Sequence, residues 1–298
     1  MVLFSRQKLC CWYAIFLLIL LMEARPWSCF QNLFDKSDSM KIAFLHFDLS
    51  GGPQSKNLEK LKVGIELAAK AGAEWVITPE MALQGYFMTQ TGHPYKLLKE
   101  SGKMTIPFQE LARNYGIAIF LGCGESDDMT GLAYNSCLVF SAQGDIVGRQ
   151  RKIRTLNWVT EAWSAPGTIL EPFVCDERKI GVLVCADAWF GDNGEKLAEA
   201  GSDAIVVVAA WPPGCGGPPE EAWKRCSART GGLPVFVCNQ TGINNGMDCT
   251  IAKSAVVYGG ELVCEYSGDE AILIFDFDSF KANGGKTNFE ILNGEILS

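Results

Sequence analysis

The chain has 298 residues, of which 48% are hydrophobic and 20% are charged, and its formal net charge is −8. This length can fold as one large α/β unit or as two smaller domains, with a sizeable core in either case. Acidic residues outnumber basic ones by 34 to 26, and Lys and Arg cluster only from Arg149 to Arg154. The sequence therefore lacks the positive surface that phosphate backbones require, and nucleic acid is excluded as an expected partner.

Twelve cysteines are scattered through apolar segments, without a CxxC pair or a histidine-rich neighbourhood. Their spacing does not suit a zinc site. Short secreted domains that depend on disulfides are denser in cysteine and poorer in core residues than this chain. We therefore expect mostly buried, reduced thiols, no metal and no cofactor, and a cytoplasmic location.

Residues 1–39 differ from the rest of the chain. Arg6 and Lys8 precede fourteen apolar residues, 9–22, whereas a membrane-spanning helix needs about 20. The segment is a signal peptide, an uncleaved anchor, or an extension upstream of a true start at Met40. Export or membrane anchoring is thus the alternative to a cytoplasmic location, and membrane contact is expected only if residues 9–22 are retained. We predict one domain over residues 40–298.

The first half of this domain alternates strands and helices. In chain order the pattern predicts a strand at 41–49, a helix between Pro53 and Gly72, a strand at 74–78, helical segments at 95–99 and 108–115, a strand at 117–123, and a hairpin of strands 135–141 and 146–151 around Ala142–Asp145.

The second half continues this alternation and becomes rich in strands near its end. The pattern predicts strand 179–185, helix 195–200, strand 204–209, helix 220–229, strand 235–238, and strands 251–258, 262–266 and 271–277, with a tight turn at Gly259-Gly260. Two sheets with helices on their outer faces satisfy this order of elements.

Three predicted strands end in residues that can react. Glu80 follows the strand at 74–78, Lys152 follows the strand at 146–151, and Cys185 ends the strand at 179–185. Loops at strand ends commonly carry the chemistry of α/β proteins. The chain has only two histidines: His46 lies in a buried strand pattern and His93 in a Gly-His-Pro loop. A carboxylate is therefore the expected general base.

These three side chains are sufficient for nucleophilic hydrolysis without a metal. A carboxylate can accept the thiol proton, the thiolate can attack an amide or nitrile carbon, and an ammonium can stabilise the negative charge that develops on the substrate. Each residue alone is weak support, because cysteines also stand at the strand ends Cys123 and Cys238. A Cys-His hydrolase that uses His46 or His93 stays open as an alternative.

An ordered series of motifs from about Lys41 to Asp278 resembles the nitrilase superfamily, the carbon-nitrogen hydrolases. The motifs are Asn57–Lys60, Ile77–Tyr86 around Glu80, Tyr134–Ser136 with Gly144-Asp145 and Arg151-Lys152, Gly181–Asp187 around Cys185, Ala200–Asp203, Ala210–Pro212, Trp223, Arg229 and Cys238–Gly242. The resemblance implies an α/β fold of the four-layer α-β-β-α sandwich type, a Glu80-Lys152-Cys185 triad, a thioester intermediate and a homo-oligomer.

The resemblance also indicates residues that contact the substrate. Many family members carry a second glutamate between the lysine and the cysteine, and Glu161 is its candidate here. The backbone N–H of Ala186 is a candidate oxyanion donor. Aromatic residues and a proline are expected to line the pocket: Tyr86, Trp158, Trp189, Trp211 and Pro212.

The residues after the cysteine indicate the kind of bond. Nitrile-cleaving members usually have Trp-Glu there, whereas this chain has Ala186-Asp187, which favours a small amide as the substrate. Asp187 and Trp189 look more like the glutaminase modules joined to NAD synthetases, although no ATP-pyrophosphatase domain is expected after this one. A nitrilase, an N-acyltransferase of the same superfamily and a non-catalytic family scaffold are the alternatives.

Overall fold

The computed structural model describes residues 40–99, 102–156, 160–214, 216–285 and 287–292. The predictions for residues 1–39 and for Trp158 lie outside these ranges. The strands are β1 (Lys41–His46), β2 (Trp75–Ile77), β3 (Ala118–Ser126), β4 (Ala133–Phe140), β5 (Ile146–Arg151), β6 (Phe173–Cys175), β7 (Arg178–Val184), β8 (Ala204–Val208), β9 (Val235–Cys238), β10 (Ile243–Asn244), β11 (Met247–Asp248), β12 (Ser254–Tyr258), β13 (Glu261–Tyr266), β14 (Ala271–Asp276) and β15 (Glu290–Leu292). The α-helices are α1 (Gln54–Lys70), α2 (Ile106–Tyr115), α3 (Gly191–Glu199), α4 (Pro219–Arg229) and α5 (Phe277–Ala282), and 3-10 turns cover Lys103–Thr105 and Cys185–Trp189.

Two large sheets form the centre of the fold. One has seven strands in the order β15-β14-β1-β2-β3-β4-β5, and the other has six in the order β13-β12-β9-β8-β7-β6. Strands β1, β2 and β3 are parallel neighbours in the first sheet, as are β7, β8 and β9 in the second. Parallel strands need crossover connections, and the helices supply them.

The seven-stranded sheet is apolar on both faces because its side chains alternate between two cores. Phe44 and Trp75 point into the core between the sheets, whereas Leu45 and Val76 pack under α1 and α2. A strand buried on both faces reads as a continuous apolar run, as these strands do.

The two sheets are joined by aromatic side chains. Phe236 on β9 lies 6.5 Å from the ring of Phe44 and 6.3 Å from those of Trp75 and Phe275, all on the opposite sheet. Helices α3 and α4 cover the other face of the six-stranded sheet, where Leu197 and Trp223 are fully buried. The layers therefore run helix, sheet, sheet, helix, which confirms the predicted α-β-β-α sandwich.

The helical segment predicted at Tyr95–Lys99 is wrong. This stretch is extended, with a single bridge between Leu98 and Glu125. The Gln54 side chain accepts from the Lys96 N–H, and the Gln84 side chain donates to the Lys96 carbonyl. Leu98 exchanges hydrogen bonds with the backbone of β3 through Gly124 and Ser126. Backbone groups satisfied from outside the segment gain nothing from forming a helix.

Most other predicted elements are found with shifted ends. The strand predicted to begin at Ile251 begins at Ser254, and the helix predicted from Glu195 begins at Gly191. The strand predicted to reach Phe277 ends at Asp276, because α5 begins at Phe277. Strands β6 and β15, each of three residues, were not predicted because they are too short to show a period. Within the described ranges, no helix is both long and apolar enough to cross a bilayer.

Candidate active site

Glu80 lies three residues after the end of β2, the central strand of the seven-stranded sheet. Its carboxylate is fully buried. Oε1 accepts from the Asn135 side chain at 2.7 Å, and Oε2 accepts from the Ala210 N–H at 3.0 Å. The Thr78–Glu80 segment passes very close to β3, since a Cβ at Gly122 would lie 2.0 Å from the Pro79 carbonyl oxygen. Glycine at position 122 therefore allows the carboxylate to reach this place.

Lys152 follows β5 in the same sheet and is 1% exposed. Its Nζ lies 2.7 Å from Glu80 Oε1 and 2.5 Å from Glu161 Oε1. Burial lowers the pKa of the ammonium, but the facing carboxylates of Glu80 and Glu161 raise it by more, so the pKa lies well above its usual value. Lys152 is therefore a permanent cation held between two carboxylates.

Glu161 completes this group from the loop after Lys152. Its Oε1 also accepts from the Tyr86 hydroxyl at 2.9 Å, and its Oε2 accepts from the Leu156 N–H at 3.0 Å. Both Glu161 and Tyr86 are buried. The predicted second glutamate thus contacts both the predicted pocket tyrosine and the lysine.

Cys185 enters from the other sheet, at the end of β7. Its backbone φ of 50° lies in the left-handed region, which residues with a β-carbon rarely adopt. Cys185 is also the first residue of the 3-10 turn that ends at Trp189. Burial and the charge of Glu80 raise the pKa of the thiol well above its usual value, whereas the Lys152 ammonium and the Ala210 N–H lower it. The cysteine is therefore a neutral thiol at rest, within electrostatic reach of Glu80, Lys152 and Glu161.

Asp187 ties the lysine's loop to the cysteine's turn. Its oxygens accept from the Ile153 N–H at 3.0 Å and from the Arg154 N–H at 2.8 Å. The side chain is fully buried, and burial raises its pKa to about 6 against opposing contributions from Lys152 and from these N–H groups. The sequence signal for this role is the acidic residue two positions after the cysteine.

Asn239 and Gln240 fix the backbone at Trp211 and at Glu80. Asn239 accepts from the Trp211 N–H at 2.9 Å and donates to the Trp211 carbonyl at 3.0 Å. Gln240 donates to the backbone carbonyl of Glu80 at 3.1 Å. The sequence showed these two residues only as part of a motif, because their contacts join segments 28 and 160 residues apart.

The remaining predicted pocket residues belong to two segments, the turn that begins at Cys185 and the segment after β8. Trp189 and Trp211 lie with ring centroids 6.0 Å apart, and Trp211 directly follows Ala210. Ala186 is partly exposed and directly follows Cys185.

The environments of the two histidines do not suit a catalytic base. His46 is fully buried in β1 and its Nδ1 lies 2.9 Å from Ser254 Oγ, and burial lowers its pKa to about 4. His93 is exposed in a loop. All eight described cysteines are buried thiols, and the described residues include no group of three or more His, Cys, Asp or Glu side chains that could hold a metal ion.

A helix-sheet-sheet-helix sandwich with a buried Glu-Lys-Glu group beside a cysteine is typical of enzymes that hydrolyse carbon-nitrogen bonds. The sequence model of the family described as carbon-nitrogen hydrolase matches residues 51–279. The chain therefore belongs to the carbon-nitrogen hydrolase family and is an enzyme of that class, as the resemblance implied.

Known proteins of this family are similar over most of the chain. A citrullinase from Francisella tularensis is 26% identical over 250 residues, which cover 78% of this chain and 83% of that protein. A 2-oxoglutaramate amidase from Bacillus subtilis is 25% identical over 242 residues, covering 80% of this chain and 90% of that protein. The crystal structure of Saccharomyces cerevisiae Nit3, a member of the nitrilase superfamily, superposes with a TM-score of 0.69 at 21% identity, covering 83% of this chain and 95% of that one, and it supports the fold alone.

Proposed function

We propose that the protein hydrolyses the carbon-nitrogen bond of a small amide through a thioester on Cys185. The observation that carries this proposal is the buried group of Glu80, Lys152 and Glu161, which acts on a cysteine supplied by the opposite sheet. Each of these side chains has the chemistry that one step of the reaction requires.

In the first half of the reaction, the Cys185 sulfur attacks the amide carbon while Glu80 accepts the thiol proton. The raised pKa of the thiol means that little thiolate exists beforehand, so proton transfer accompanies the attack. Burial also raises the pKa of Glu80, which makes it a stronger base than an exposed glutamate. The Lys152 ammonium and the Ala186 N–H stabilise the oxyanion. Glu80 then gives its proton to the nitrogen, and ammonia or an amine leaves.

In the second half, water attacks the thioester carbon and gives a proton to Glu80. The carbon-sulfur bond breaks, the proton returns to sulfur, and a carboxylate product leaves. Glu161, fixed by Tyr86 and Lys152, orients the substrate amide or this water. Tyr86, Trp189 and Trp211 form the walls of the pocket.

An amide is favoured over a nitrile by Ala186-Asp187 after the cysteine. Asp187 is committed to backbone N–H groups of the lysine's loop. The amidase and the citrullinase among the similar proteins support hydrolysis of amide-type bonds.

Intact-protein mass spectrometry during turnover of small primary amides, N-carbamoyl compounds, glutamine and nitriles tests this proposal. We expect an acyl adduct on Cys185 and release of ammonia, both abolished by Cys185→Ala. Cys238→Ala is the matched control, because Cys238 ends a strand of the same sheet but its thiol lies 3.5 Å from the Leu45 carbonyl. Turnover that survives Cys185→Ala, or is lost in Cys238→Ala, would assign the nucleophile elsewhere. Absence of any adduct would favour the acyltransferase or scaffold alternatives.

A further inference from the structure

The two oxygens of the Glu80 carboxylate bind donors from different sheets. Oε1 accepts from the Asn135 side chain at 2.7 Å and from Lys152 Nζ at 2.7 Å. Asn135 lies on β4 and Lys152 follows β5, so both donors belong to the seven-stranded sheet. Oε2 accepts instead from the N–H of Ala210, in the segment that follows β8 of the six-stranded sheet. The carboxylate therefore bridges the two sheets.

Oε2 is the oxygen on the side of Cys185. Strands β7 and β8 are parallel neighbours, and their register puts Cys185, which follows β7, beside Ala209, which follows β8. The Ala209 carbonyl accepts from the Glu80 N–H at 3.2 Å, and the next N–H, of Ala210, binds Oε2. Burial raises the pKa of the Cys185 thiol, and the same Ala210 N–H opposes this rise. One backbone N–H thus acts on both the carboxylate oxygen and the sulfur.

The hydrogen bonds of Glu80 leave room for a proton on Oε2 only. A carboxylate oxygen has two lone pairs. Asn135 and Lys152 use both pairs of Oε1, whereas Oε2 has one donor among the described residues, the Ala210 N–H. A proton on Oε1 would displace one of its two donors, and a buried donor without an acceptor is costly. A proton on Oε2 displaces neither.

The Asn135 amide is only partly satisfied. The residue is fully buried and lies on the face of β4 that carries Cys137 and Val139 into the core between the sheets. Its Oδ1 has no hydrogen-bond partner among the described residues. Buried polar atoms are nearly always paired in native structures, so an unpaired one calls for a reason other than stability. The hydrogen bond that Nδ2 donates to Glu80 supplies this reason.

We propose that Oε2 of Glu80 carries the proton of the reaction, and that Asn135 is the positioning residue that, together with Lys152, keeps Oε1 occupied. This inference rests on the proposed amide hydrolysis at Cys185. As the sulfur bonds to the amide carbon, the S–H bond breaks and an O–H bond forms on Oε2. As the carbon-nitrogen bond breaks, that O–H bond breaks and the nitrogen gains the proton. Lys152 keeps its own protons throughout.

Asn135→Leu tests this role, because leucine has nearly the shape of asparagine and no donor. Burial raises the pKa of Glu80 and the Asn135 hydrogen bond opposes this rise, so its loss should raise the pKa further. The acidic limb of the kcat/KM profile should therefore move to higher pH. We expect kcat to fall by about 10- to 100-fold, with KM changed by less than about threefold, because Asn135 acts on Glu80 and not on the substrate.

Asn57→Leu is the matched control. Asn57 is also buried, but its Nδ2 donates to the Leu49 carbonyl at 2.8 Å and not to a carboxylate. The acidic limb should stay in place in this variant. Far-UV circular dichroism checks that each variant is folded, and Asn135→Ala takes the place of Asn135→Leu if leucine disrupts the strand.

Asn135→Asp supplies the missing donor in one protonation state only. A protonated aspartic acid can donate its O–H to Oε1, whereas an ionised one has no donor and repels Glu80. The rate of Asn135→Asp should therefore exceed that of Asn135→Leu at low pH and lose this advantage as the pH rises. A residue that only filled space would give both variants the pH profile of the unaltered protein.

Carbon-13 NMR of the glutamate carboxyl carbons in Cys185→Ala protein separates this inference from turnover. The Glu80 resonance, identified by its loss in the double variant Cys185→Ala, Glu80→Gln, should titrate at higher pH when Asn135→Leu is added. A titration and an acidic limb that stay in place or move to lower pH in Asn135→Leu would overturn this inference alone, as would an Asn135→Asp profile that follows that of Asn135→Leu. If no amide is hydrolysed and Cys185 takes no acyl group, the proposed function fails and this inference fails with it, whatever the titration shows.

Discussion

Lys152 shows how a buried charge can be fixed by its neighbours. Its ammonium and the carboxylates of Glu80 and Glu161 are each at most 1% exposed, so water contributes little to their stabilisation. Removing one member of such a group leaves an uncompensated buried charge, at a cost of about 3 to 5 kcal/mol. Substitutions that keep the shape of a side chain therefore report on chemistry better than truncations.

Glu161→Gln keeps the shape of Glu161 and removes its charge. That charge raises the pKa of Glu80, so the pKa of Glu80 should fall in the variant. The acidic limb of the kcat/KM profile, where Glu80 becomes protonated, should therefore move to lower pH, with kcat/KM reduced by about 100-fold or more because the amide or water loses its orienting group. Steady-state rates from pH 4 to 9 measure both effects.

Tyr86→Phe is the control for this prediction. This substitution removes the hydrogen bond from the Tyr86 hydroxyl to Glu161 Oε1 but keeps the charge of the Glu161 carboxylate. The acidic limb should therefore stay closer to its original position in Tyr86→Phe than in Glu161→Gln. If the acidic limb of Glu161→Gln moves to higher pH, or does not move, the assignment of Glu80 as the base is contradicted.

At the scale of elements, the site depends on segments that hold one another. Asp187 fastens the loop after β5 to the turn after β7, and Asn239 fastens the segment after β9 to the segment after β8. These bonds place Lys152, Cys185 and the Ala210 N–H relative to each other. They use neutral backbone groups, which only a folded chain brings together.

The raised pKa of Asp187 predicts how stability varies with pH. The folded carboxyl has a pKa of about 6 and the unfolded one about 3.8, so the folded protein binds more protons between these values. The contribution of Asp187 to stability should therefore fall as pH rises from about 4 to 6. The unfolding free energy of the unaltered protein minus that of Asp187→Asn should decrease over this range by up to about 3 kcal/mol. Urea unfolding at several pH values measures it.

Asp127→Asn supplies a control of opposite sign. The Arg151 hydrogen bond holds the pKa of Asp127 below its usual range, so its contribution is present above the unfolded pKa and is lost as pH falls. Its difference curve should rise with pH, although weakly, because the Asp127 side chain is partly exposed and solvent screens its charge. A difference curve for Asp187→Asn that rises with pH would show that its carboxylate is favoured, not disfavoured, by folding.

Periodicity could predict most elements but not the segments fixed by distant side chains. The apolar runs of β1, β7, β8 and β9 follow from burial on both faces, which any central strand of this fold requires. Tyr95–Lys99 depends on bonds from Gln54 and Gln84, which no local pattern reveals. The sequence indicated Glu80, Lys152, Cys185 and Glu161. For the same reason it did not indicate the hydrogen bonds by which Asn135, Asp187 and Asn239 position the site.

At the scale of the whole molecule, the site joins two sheets. Glu80 and Lys152 stand at strand ends of the seven-stranded sheet, and Cys185 stands at a strand end of the six-stranded one. Their relative positions therefore depend on the aromatic core between the sheets. The predicted homo-oligomer, the cytoplasmic location and the domain boundary at residue 40 stay predictions.

Phe236→Ala tests the coupling of the sheets. Phe236 contacts Phe44, Trp75, Phe275 and Phe277 across the interface, so its truncation should lower the free energy of unfolding by about 3 to 5 kcal/mol. Because both sheets share this core, tryptophan fluorescence and far-UV circular dichroism should report one coincident transition in guanidinium chloride.

Met129→Ala is the control, since Met129 is 94% exposed and its loss should change stability by less than about 0.5 kcal/mol. Separate transitions for the two probes in the unaltered protein, or a loss below about 1 kcal/mol in Phe236→Ala, would show that the sheets are stabilised independently.

Peroxide and other small oxidants attack thiolates far faster than thiols. Cys185 is 7% exposed, and its burial raises the pKa of the thiol and so favours the protonated form. Sulfenic acid should therefore form slowly on the resting enzyme, and the seven other described cysteines share this protection because they too are buried.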